Sequence, residues 1–236
     1  MDSIASLELP LFDLFKSAFT TTATFVRARL LGVAAILTTG RRTVANLLRT
    51  VTDLTHGDPS SYHRVLCMAQ WSTLTLASSL ARFLLRHCWP QGRVRLVGDD
   101  TVTEHPGRKV HGKARHRDPI RSSHSYTAWR WGHKWVVLAV LVSFPFAARP
   151  WALPVLVALY RSPEDNRKRG RPHRTPAQLL QVLLRLLVRW FPDRQFVCAG
   201  DQSYGSHDMA SRASRTRGRL HLVSKFYPNA NLYERS

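Results

Sequence analysis

The sequence predicts an α/β protein in which a mixed β-sheet core follows an all-helical N-terminal region. Apolar residues recur at helical spacing through most of residues 1–90. After residue 92, short runs rich in β-branched and aromatic residues flank a strongly apolar helix at residues 177–191. This order of strands, helix and strands indicates a sheet with both parallel and antiparallel pairing.

We expect two domains, a helical domain over residues 1–92 and a sheet domain over residues 93–236. The segment WPQG at residues 89–92 separates them, because proline and glycine end a helix. Residues 38–51 (TTGRRTVANLLRTV) combine a glycine turn with a basic amphipathic helix. This pattern fits a DNA-binding helix-turn-helix, and the alternative is a helical packing domain, because many all-α cores contain the same pattern.

The remaining elements follow from local patterns. One long helix is expected from Tyr62 to about His87. Residues 104–133 and 161–175 are polar and basic and are expected to be loops. A short helix is expected at residues 206–213, and strands at residues 93–100, 134–144, 151–160, 196–201 and 219–226.

Charge is the strongest functional signal in the composition. The 236 residues include 35 Lys and Arg against 15 Asp and Glu, which gives a formal net charge of +20. Such an excess repels itself in a compact protein and is typical of proteins that bind a polyanion. Double-stranded DNA is the predicted partner, because each phosphate contact releases a counterion. An anionic membrane surface is the alternative.

Several other classes of protein are disfavoured. The most apolar stretch, residues 135–160, is broken by prolines and Arg149, and its uninterrupted part is about half of the ~20 residues that a membrane helix needs. The N-terminus lacks the basic start of a signal peptide. The three cysteines form no CxxC motif and no disulfide framework. We therefore expect a cytoplasmic protein that does not enter a membrane.

Two apolar strands end in carboxylates, at VGDDT (residues 97–101) and AGDQSYG (residues 199–205). If these strands are neighbours, their aspartates converge at the carboxyl edge of the sheet, where α/β proteins bind ligands. Converging carboxylates favour a cation between them, and Mg²⁺ or Mn²⁺ suits such oxygen ligands. Two such ions can cleave a phosphodiester. The alternative is structural, because aspartate after glycine also forms turns and helix caps.

Four segments taken together resemble the DDE-type transposases of bacterial insertion sequences, within the DDE superfamily endonucleases. The segments are VGDDTVTEHPGRKVHGKARHRDP, SYTAWRWGHKWVVLAVLV, ARPWALPVLVALYRSPED and FVCAGDQSYGS, and the resemblance covers about residues 60–233. It implies a ribonuclease-H-like core, with metal-dependent cleavage and strand transfer at insertion-sequence ends. It also implies a prokaryotic, nucleoid-associated protein whose partners are transposon ends, target DNA and further copies of itself.

The resemblance assigns the catalytic, metal-binding aspartates to two positions. The first is Asp99, with Asp100 as the alternative, and the second is Asp201. Thr101 and Gln202 are expected to hydrogen-bond with these acids.

A third acid should lie on a helix after the last core strand, and Glu234 is the acid that remains in that part of the sequence. We therefore expect a catalytic core that is incomplete at its C-terminus. The alternative function is a catalytically inactive, DNA-binding transposase fragment.

Two basic segments, residues 108–117 and 167–171, are predicted to contact DNA phosphates. The histidines of the first segment and its surroundings match no zinc spacing. The predicted DNA-binding residues are Arg108, Lys109, Lys113, Arg115, Arg117, Arg167, Lys168, Arg169 and Arg171.

Aromatic residues give a weaker signal. Trp129, Trp131 and Trp135 alternate along one face of a predicted strand. We expect them to belong to the sheet core, and base stacking is the alternative. Tyr126 and Tyr204 could serve as recombinase nucleophiles, but the accompanying pattern of arginine and histidine is missing.

Overall fold

The computed structural model describes residues 10–107, 109–118 and 120–225. They divide into two units, the first ending at Arg82 and the second beginning at Phe83. This division falls within a helix, and the predicted domain boundary at residue 92 stays a prediction. Arg108 and Glu234, both singled out from the sequence, lie outside the described residues.

The first unit is helical, as predicted. Threonine or aspartate caps start three of its helices, with the side chains of Thr21, Thr43 and Asp58 accepting backbone N–H bonds. Its core contains Leu30, Leu31, Ala34, Leu47, Leu48, Val51, Tyr62 and Val65. The helices are α1 (Pro10–Asp13), α2 (Thr22–Leu37), α3 (Val44–Thr50), α4 (Pro59–Cys67) and α5 (Thr73–Cys88), which continues into the second unit.

The single long helix expected from Tyr62 to His87 is wrong, because α4 and α5 are separate. The Trp71 indole N–H turns back to the Val65 carbonyl at 3.0 Å, and the Trp71 ring stacks on Phe19 at 5.7 Å. Ser72 then caps the next helix by accepting the Thr75 N–H at 3.1 Å. Helical periodicity did not reveal this break, since it depends on a distant aromatic contact.

The second unit contains six strands, β1 (Val94–Glu104), β2 (Ala114–Arg117), β3 (Trp129–Val142), β4 (Trp151–Tyr160), β5 (Phe196–Gly200) and β6 (Leu220–Ser224). They form one sheet in the order β4-β3-β1-β5-β6, and β2 also pairs with β3. Pairs among β1, β2, β3 and β4 are antiparallel, whereas β1–β5 and β5–β6 are parallel. This mixed sheet confirms the predicted fold class, a ribonuclease-H-like core preceded by helices.

Helices α6 (Pro163–Lys168), α7 (Pro176–Trp190) and α8 (His207–Ser214) complete this unit. Helix α7 begins with a capping box, in which Thr175 and Gln178 bond to each other's backbone N–H groups. It packs against β3 and β4. Its buried face carries Leu180, Gln181, Leu183, Leu184, Leu187 and Val188.

Two predicted loops contain regular structure. Residues 104–133 include β2 and the start of β3, and residues 161–175 include α6. Residues 104–133 contain strands where a loop was predicted, because β1 continues past its aspartates to Glu104, which pairs with Gly132. A Cβ atom at Gly132 would lie 2.0 Å from the Thr103 carbonyl oxygen, so only glycine permits this pairing.

Within the described residues, no helix combines the length and apolar character needed to cross a bilayer. The apolar stretch at residues 135–160 instead forms most of the antiparallel strands β3 and β4.

Candidate functional site

Three aspartates lie at the carboxyl edge of the sheet, because β1 and β5 are parallel neighbours. The register of this pair sets Gly98 opposite Gly200. Asp99 and Asp100 follow the first glycine, and Asp201 follows the second. The two acidic motifs, about 100 residues apart in sequence, therefore meet at one edge of the sheet.

Close packing favours glycine directly before each of these acids. A Cβ atom at Gly98 would lie 2.5 Å from Cδ2 of Leu180 in α7. A Cβ atom at Gly200 would lie 3.0 Å from Cβ of Tyr204, in the short turn after β5. Glycine therefore lets α7 and this turn approach the strand ends next to the carboxylates.

The two adjacent aspartates of β1 face opposite sides of the sheet. Successive strand residues alternate, so Asp100 shares a side with Leu96 and Gly98, the side on which α7 packs. Asp99 is exposed on the other side. Its Oδ1 accepts the backbone N–H of Asp100 at 2.7 Å. The sequence alone did not decide whether Asp99 or Asp100 is the first metal-binding acid, because it did not reveal which side of the sheet α7 covers.

A cavity of about 500 Å³ opens beside the strand ends. Its lining includes Asp100 and Asp201, whereas Asp99 does not line it. The remaining lining residues are Thr101, Val102, Arg117, Asp118, Ile120, Arg130, Lys134 and Ser203. The cavity thus combines carboxylates with arginine and lysine side chains.

Asp100 is held by two side chains that sequence analysis did not connect with it. The Lys134 Nζ atom lies 2.9 Å from its Oδ1, and the Tyr204 hydroxyl donates to its Oδ2 at 3.3 Å. The Lys134 ammonium also lies 5.8 Å from the centre of the Tyr160 ring. The available signal for Lys134 was a lysine directly before the apolar run that forms the rest of β3.

Tyr204 is a buried hydrogen-bond donor, only 3% exposed. Burial raises its pKa above the usual range, and the carboxylates of Asp100, Asp99 and Asp201 raise it further. Burial, then Asp100, also raises the pKa of Tyr160. A protonated, buried hydroxyl suits a role in orienting Asp100 and does not suit a recombinase nucleophile.

Asp201 leaves β5 as the cap of a short 3₁₀ turn. Its Oδ1 accepts the Ser203 backbone N–H at 2.9 Å and the Ser203 hydroxyl at 2.5 Å. Both bonds go to Oδ1, so Oδ2 makes no hydrogen bond with residues that the structure describes. An aspartate followed two positions later by serine is a recognisable turn pattern, and it identifies Ser203 in place of Gln202 as the bonding partner.

Asp118 is an acid in the cavity that sequence analysis did not single out. Its side chain is 4% exposed, and Oδ2 lies 2.5 Å from the Arg130 Nε atom. Burial opposes its ionisation, but the backbone N–H groups of Ile120 and Arg121 and the Arg130 guanidinium together hold its pKa below the usual range. Its Oδ1 accepts the N–H groups of Ile120 and Arg121, and its Oδ2 forms the ion pair with Arg130.

Histidines near the cavity have structural contacts. The His133 ring N–H donates to the His111 carbonyl at 2.7 Å, and the ring packs edge-on against His105. His116 is buried, and burial followed by the charge of Lys134 lowers its pKa. Across residues 10–107, 109–118 and 120–225, no three His, Cys, Asp or Glu side chains are grouped to hold a metal ion.

The predicted DNA-contacting residues fall into two groups. Arg115 and Arg117 are exposed on β2, and Lys113 precedes that strand and donates to the Gly107 carbonyl at 2.7 Å. Lys109 lies in the connection before it. Of this first group, Arg117 lines the cavity.

The second group lies on and after α6, where two of its members already have acidic partners. Lys168 pairs with Glu164 at 2.8 Å, and Arg169 pairs with Asp165 at 3.0 Å. The remaining members, Arg167 and Arg171, are exposed and form no ion pair with a carboxylate that the structure describes.

The expectation that three tryptophans belong to the sheet core is wrong for two of them. Trp129 is 49% exposed and Trp131 is 58% exposed, whereas Trp135 is partly buried. Strand β4 pairs with β3 only from Lys134 onward. The first residues of β3, which include Trp129 and Trp131, pair with the short strand β2 instead.

Known proteins similar to this chain include two transposases of solved structure. No curated protein matches the chain. The piggyBac transposase in a synaptic complex with hairpin DNA matches with a TM-score of 0.47 and 13% identity, over 94% of this chain and 51% of that chain. A Drosophila P element transposase strand transfer complex matches with a TM-score of 0.27 and 13% identity, over 91% of this chain and 47% of that chain.

This chain thus spans about half the length of these two solved chains. The model of the DDE superfamily endonucleases matches residues 11–236. The match includes both acidic motifs, all six strands of the sheet and nearly all of the helical unit. The chain therefore belongs to the DDE superfamily endonucleases.

Proposed function

We propose that this chain is part of a DNA transposase that cleaves and joins phosphodiesters at the ends of an insertion sequence. One observation carries the proposal: Asp100 and Asp201, from parallel neighbouring strands, line one cavity with arginine and lysine side chains. The net charge of +20 supports DNA as the substrate. Such a protein would act on a prokaryotic nucleoid, as a multimer that holds two DNA ends.

Asp100 is the better candidate for the first metal-binding acid. It lines the cavity with Asp201, and two side chains orient it, whereas Asp99 is exposed on the other side of the strand. Asp99, the choice from the family resemblance, stays a prediction that the experiment below tests directly.

The donor set suits a hard divalent cation. Carboxylate oxygens are the ligands that Mg²⁺ and Mn²⁺ prefer, and Asp100 and Asp201 would supply them. A bound ion of this kind supplies Lewis-acid stabilisation of the phosphoryl oxygens and an activated oxygen nucleophile. The Lys134 ammonium lies 2.9 Å from Asp100 Oδ1, so a metal ion bound to that oxygen would displace the ammonium.

The other residues of the cavity would orient the acids and the DNA. The Tyr204 hydroxyl holds one oxygen of Asp100, and Ser203 holds one oxygen of Asp201, so both carboxylates have restricted geometry. Arg117 lines the cavity and is exposed, and its guanidinium can bind a phosphate next to the scissile bond.

A second candidate function is DNA binding without cleavage. It is favoured by one observation: the described residues contain no group of three acids that could hold metal. Glu234, the acid that remains after the last strand of the sheet, lies outside the described residues. A chain with this function would bind DNA and compete with a complete transposase.

The test is Mn²⁺-dependent nicking of supercoiled plasmid by the chain and three isosteric variants. Asp100→Asn and Asp201→Asn should lower the nicking rate by at least about 100-fold, whereas Asp99→Asn should change it by less than about threefold. Circular dichroism and a DNA-binding assay establish that each variant is folded and binds DNA.

The pattern of losses separates the alternatives. A loss confined to Asp99→Asn and Asp201→Asn would restore Asp99 as the first acid. No nicking by any protein, with DNA binding retained, would support the non-cleaving function.

A further inference from the structure

One face of the β2–β3 ladder presents exposed tryptophans beside basic side chains. Trp129 and Trp131 alternate onto this face, and the strand register sets Arg117 and Arg115 directly opposite them. Lys113, just before β2, has its ammonium 5.8 Å from the centre of the Trp131 ring. These five residues form the tryptophan–arginine face.

Both tryptophans of this face are accessible to a ligand. Trp129 and Trp131 are 49% and 58% exposed, and Arg115 lies over the Trp129 ring at 4.7 Å. Trp135 lies on the same face of β3, but its ring is less accessible to a ligand. Its indole N–H donates to the Thr103 hydroxyl at 3.0 Å, and its ring is partly buried.

The chemistry of this face suits a particular ligand. Exposed aromatic rings accept any nucleobase by stacking, and the adjacent cations neutralise backbone phosphates. Successive tryptophans on one face of a strand are roughly 7 Å apart, which leaves room for separate bases. A duplex hides the faces of its bases, so this arrangement favours a strand that is not paired.

We propose that the tryptophan–arginine face binds an unpaired DNA strand, with bases stacked on Trp129 and Trp131 and phosphates held by Arg115, Arg117 and Lys113. Arg117 connects the face to the candidate active site, because it also lines the cavity that contains Asp100 and Asp201. Trp129 and Trp131 themselves lie on the side of β3 opposite Lys134. The path of the strand into that cavity rests on the proposed function. Binding to the face itself requires neither metal nor cleavage.

The test is binding of a fluorescein-labelled single-stranded oligonucleotide of mixed sequence to the full chain, followed by fluorescence anisotropy in EDTA. The double variant Trp129→Leu/Trp131→Leu should weaken single-strand affinity by at least about tenfold. Affinity for a duplex of the same sequence should change by less than about twofold, because phosphate contacts remain.

Two matched variants act as controls. Trp129→Phe/Trp131→Phe keeps aromatic faces and should retain most of the single-strand affinity. Trp151→Leu removes a tryptophan that is 50% exposed at the other end of the β3–β4 ladder, and it should leave both affinities unchanged.

Three results would overturn the proposal. They are unchanged single-strand binding by a folded leucine double variant, an equal loss of single-strand and duplex binding, and an equal loss in Trp151→Leu. Failure of the nicking assay would not produce any of them, because these measurements contain no divalent metal. The two proposals can therefore fail separately.

Discussion

The two ends of the sheet are built from different chemistry. At the end where β1 and β5 begin, Val94, Phe196 and Val140 are fully buried apolar side chains. At the carboxyl end, Asp100 and Lys134 form an ion pair whose side chains are each 24% exposed. Apolar burial stabilises the first end without directional bonds, whereas each charge at the second end needs its own partner. We infer that the first end determines stability and the second determines chemistry.

The largest expected effect is the loss of stability when a buried apolar side chain is shortened. Leu187, which has no exposed surface, lies on the buried face of α7. Leu187→Ala should lower the free energy of unfolding by about 2–5 kcal/mol, because it removes buried methyl groups and leaves a cavity. Urea denaturation measures this. DNA binding by the folded variant should be unchanged, and a loss below about 1 kcal/mol would contradict the comparison.

Gly98 lies in β1 between the buried apolar residues of the strand and its two aspartates. Gly98→Ala should lower the free energy of unfolding by about 1–3 kcal/mol, because the new Cβ would lie 2.5 Å from Leu180. Leu180→Ala should cost less in the Gly98→Ala background than in the wild type, since it removes the clashing atoms. A double-mutant cycle measures this coupling, and strictly additive effects would show that Gly98 is not required for close packing.

Tyr204→Phe tests the carboxyl end without opening a cavity. The variant keeps the buried ring and loses the hydroxyl that donates to Asp100 at 3.3 Å. We expect Mn²⁺-dependent nicking to fall by roughly tenfold, as is typical when the partner of a metal ligand is removed. The free energy of unfolding should change by only about 1 kcal/mol. Unchanged nicking by the variant would mean that Tyr204 does not orient Asp100.

Asp118 makes the free energy of unfolding depend on pH. Its partners hold its pKa in the folded protein below the value in the unfolded chain. It therefore stabilises the fold above the unfolded pKa, near 4, and this contribution is lost as pH falls through the folded pKa. Asp118→Asn should lower the free energy of unfolding at pH 7 and flatten its decline between about pH 5 and pH 3. Urea denaturation across this range measures both.

The ion pair on α6 should have the smallest effect. Lys168 and Glu164 are each 73% exposed, so solvent screens their attraction. Lys168→Ala should leave the midpoint of urea denaturation unchanged within error at ordinary salt concentration. A shift comparable with that of Asp118→Asn would contradict the distinction between exposed pairs and the buried Asp118–Arg130 pair.

Sequence analysis succeeded where the signal is local and periodic. The strand predicted at residues 151–160 coincides with β4, and the helix predicted at residues 177–191 corresponds to α7. It missed Asp118 and Lys134, whose partners lie elsewhere in the chain. A partner distant in sequence leaves no periodic pattern, so these two residues emerge only from strand pairing and loop packing.

The sequence by itself determined that this chain is strongly basic, that its second half combines strands with helices, and that two strands end in aspartate. These properties follow from composition and from neighbours along the chain. Only the tertiary structure decided that Asp100, and not Asp99, lines a cavity with Asp201. The physical reason is that alternation assigns adjacent residues to opposite sides of a strand, whereas packing of α7 decides which side is covered.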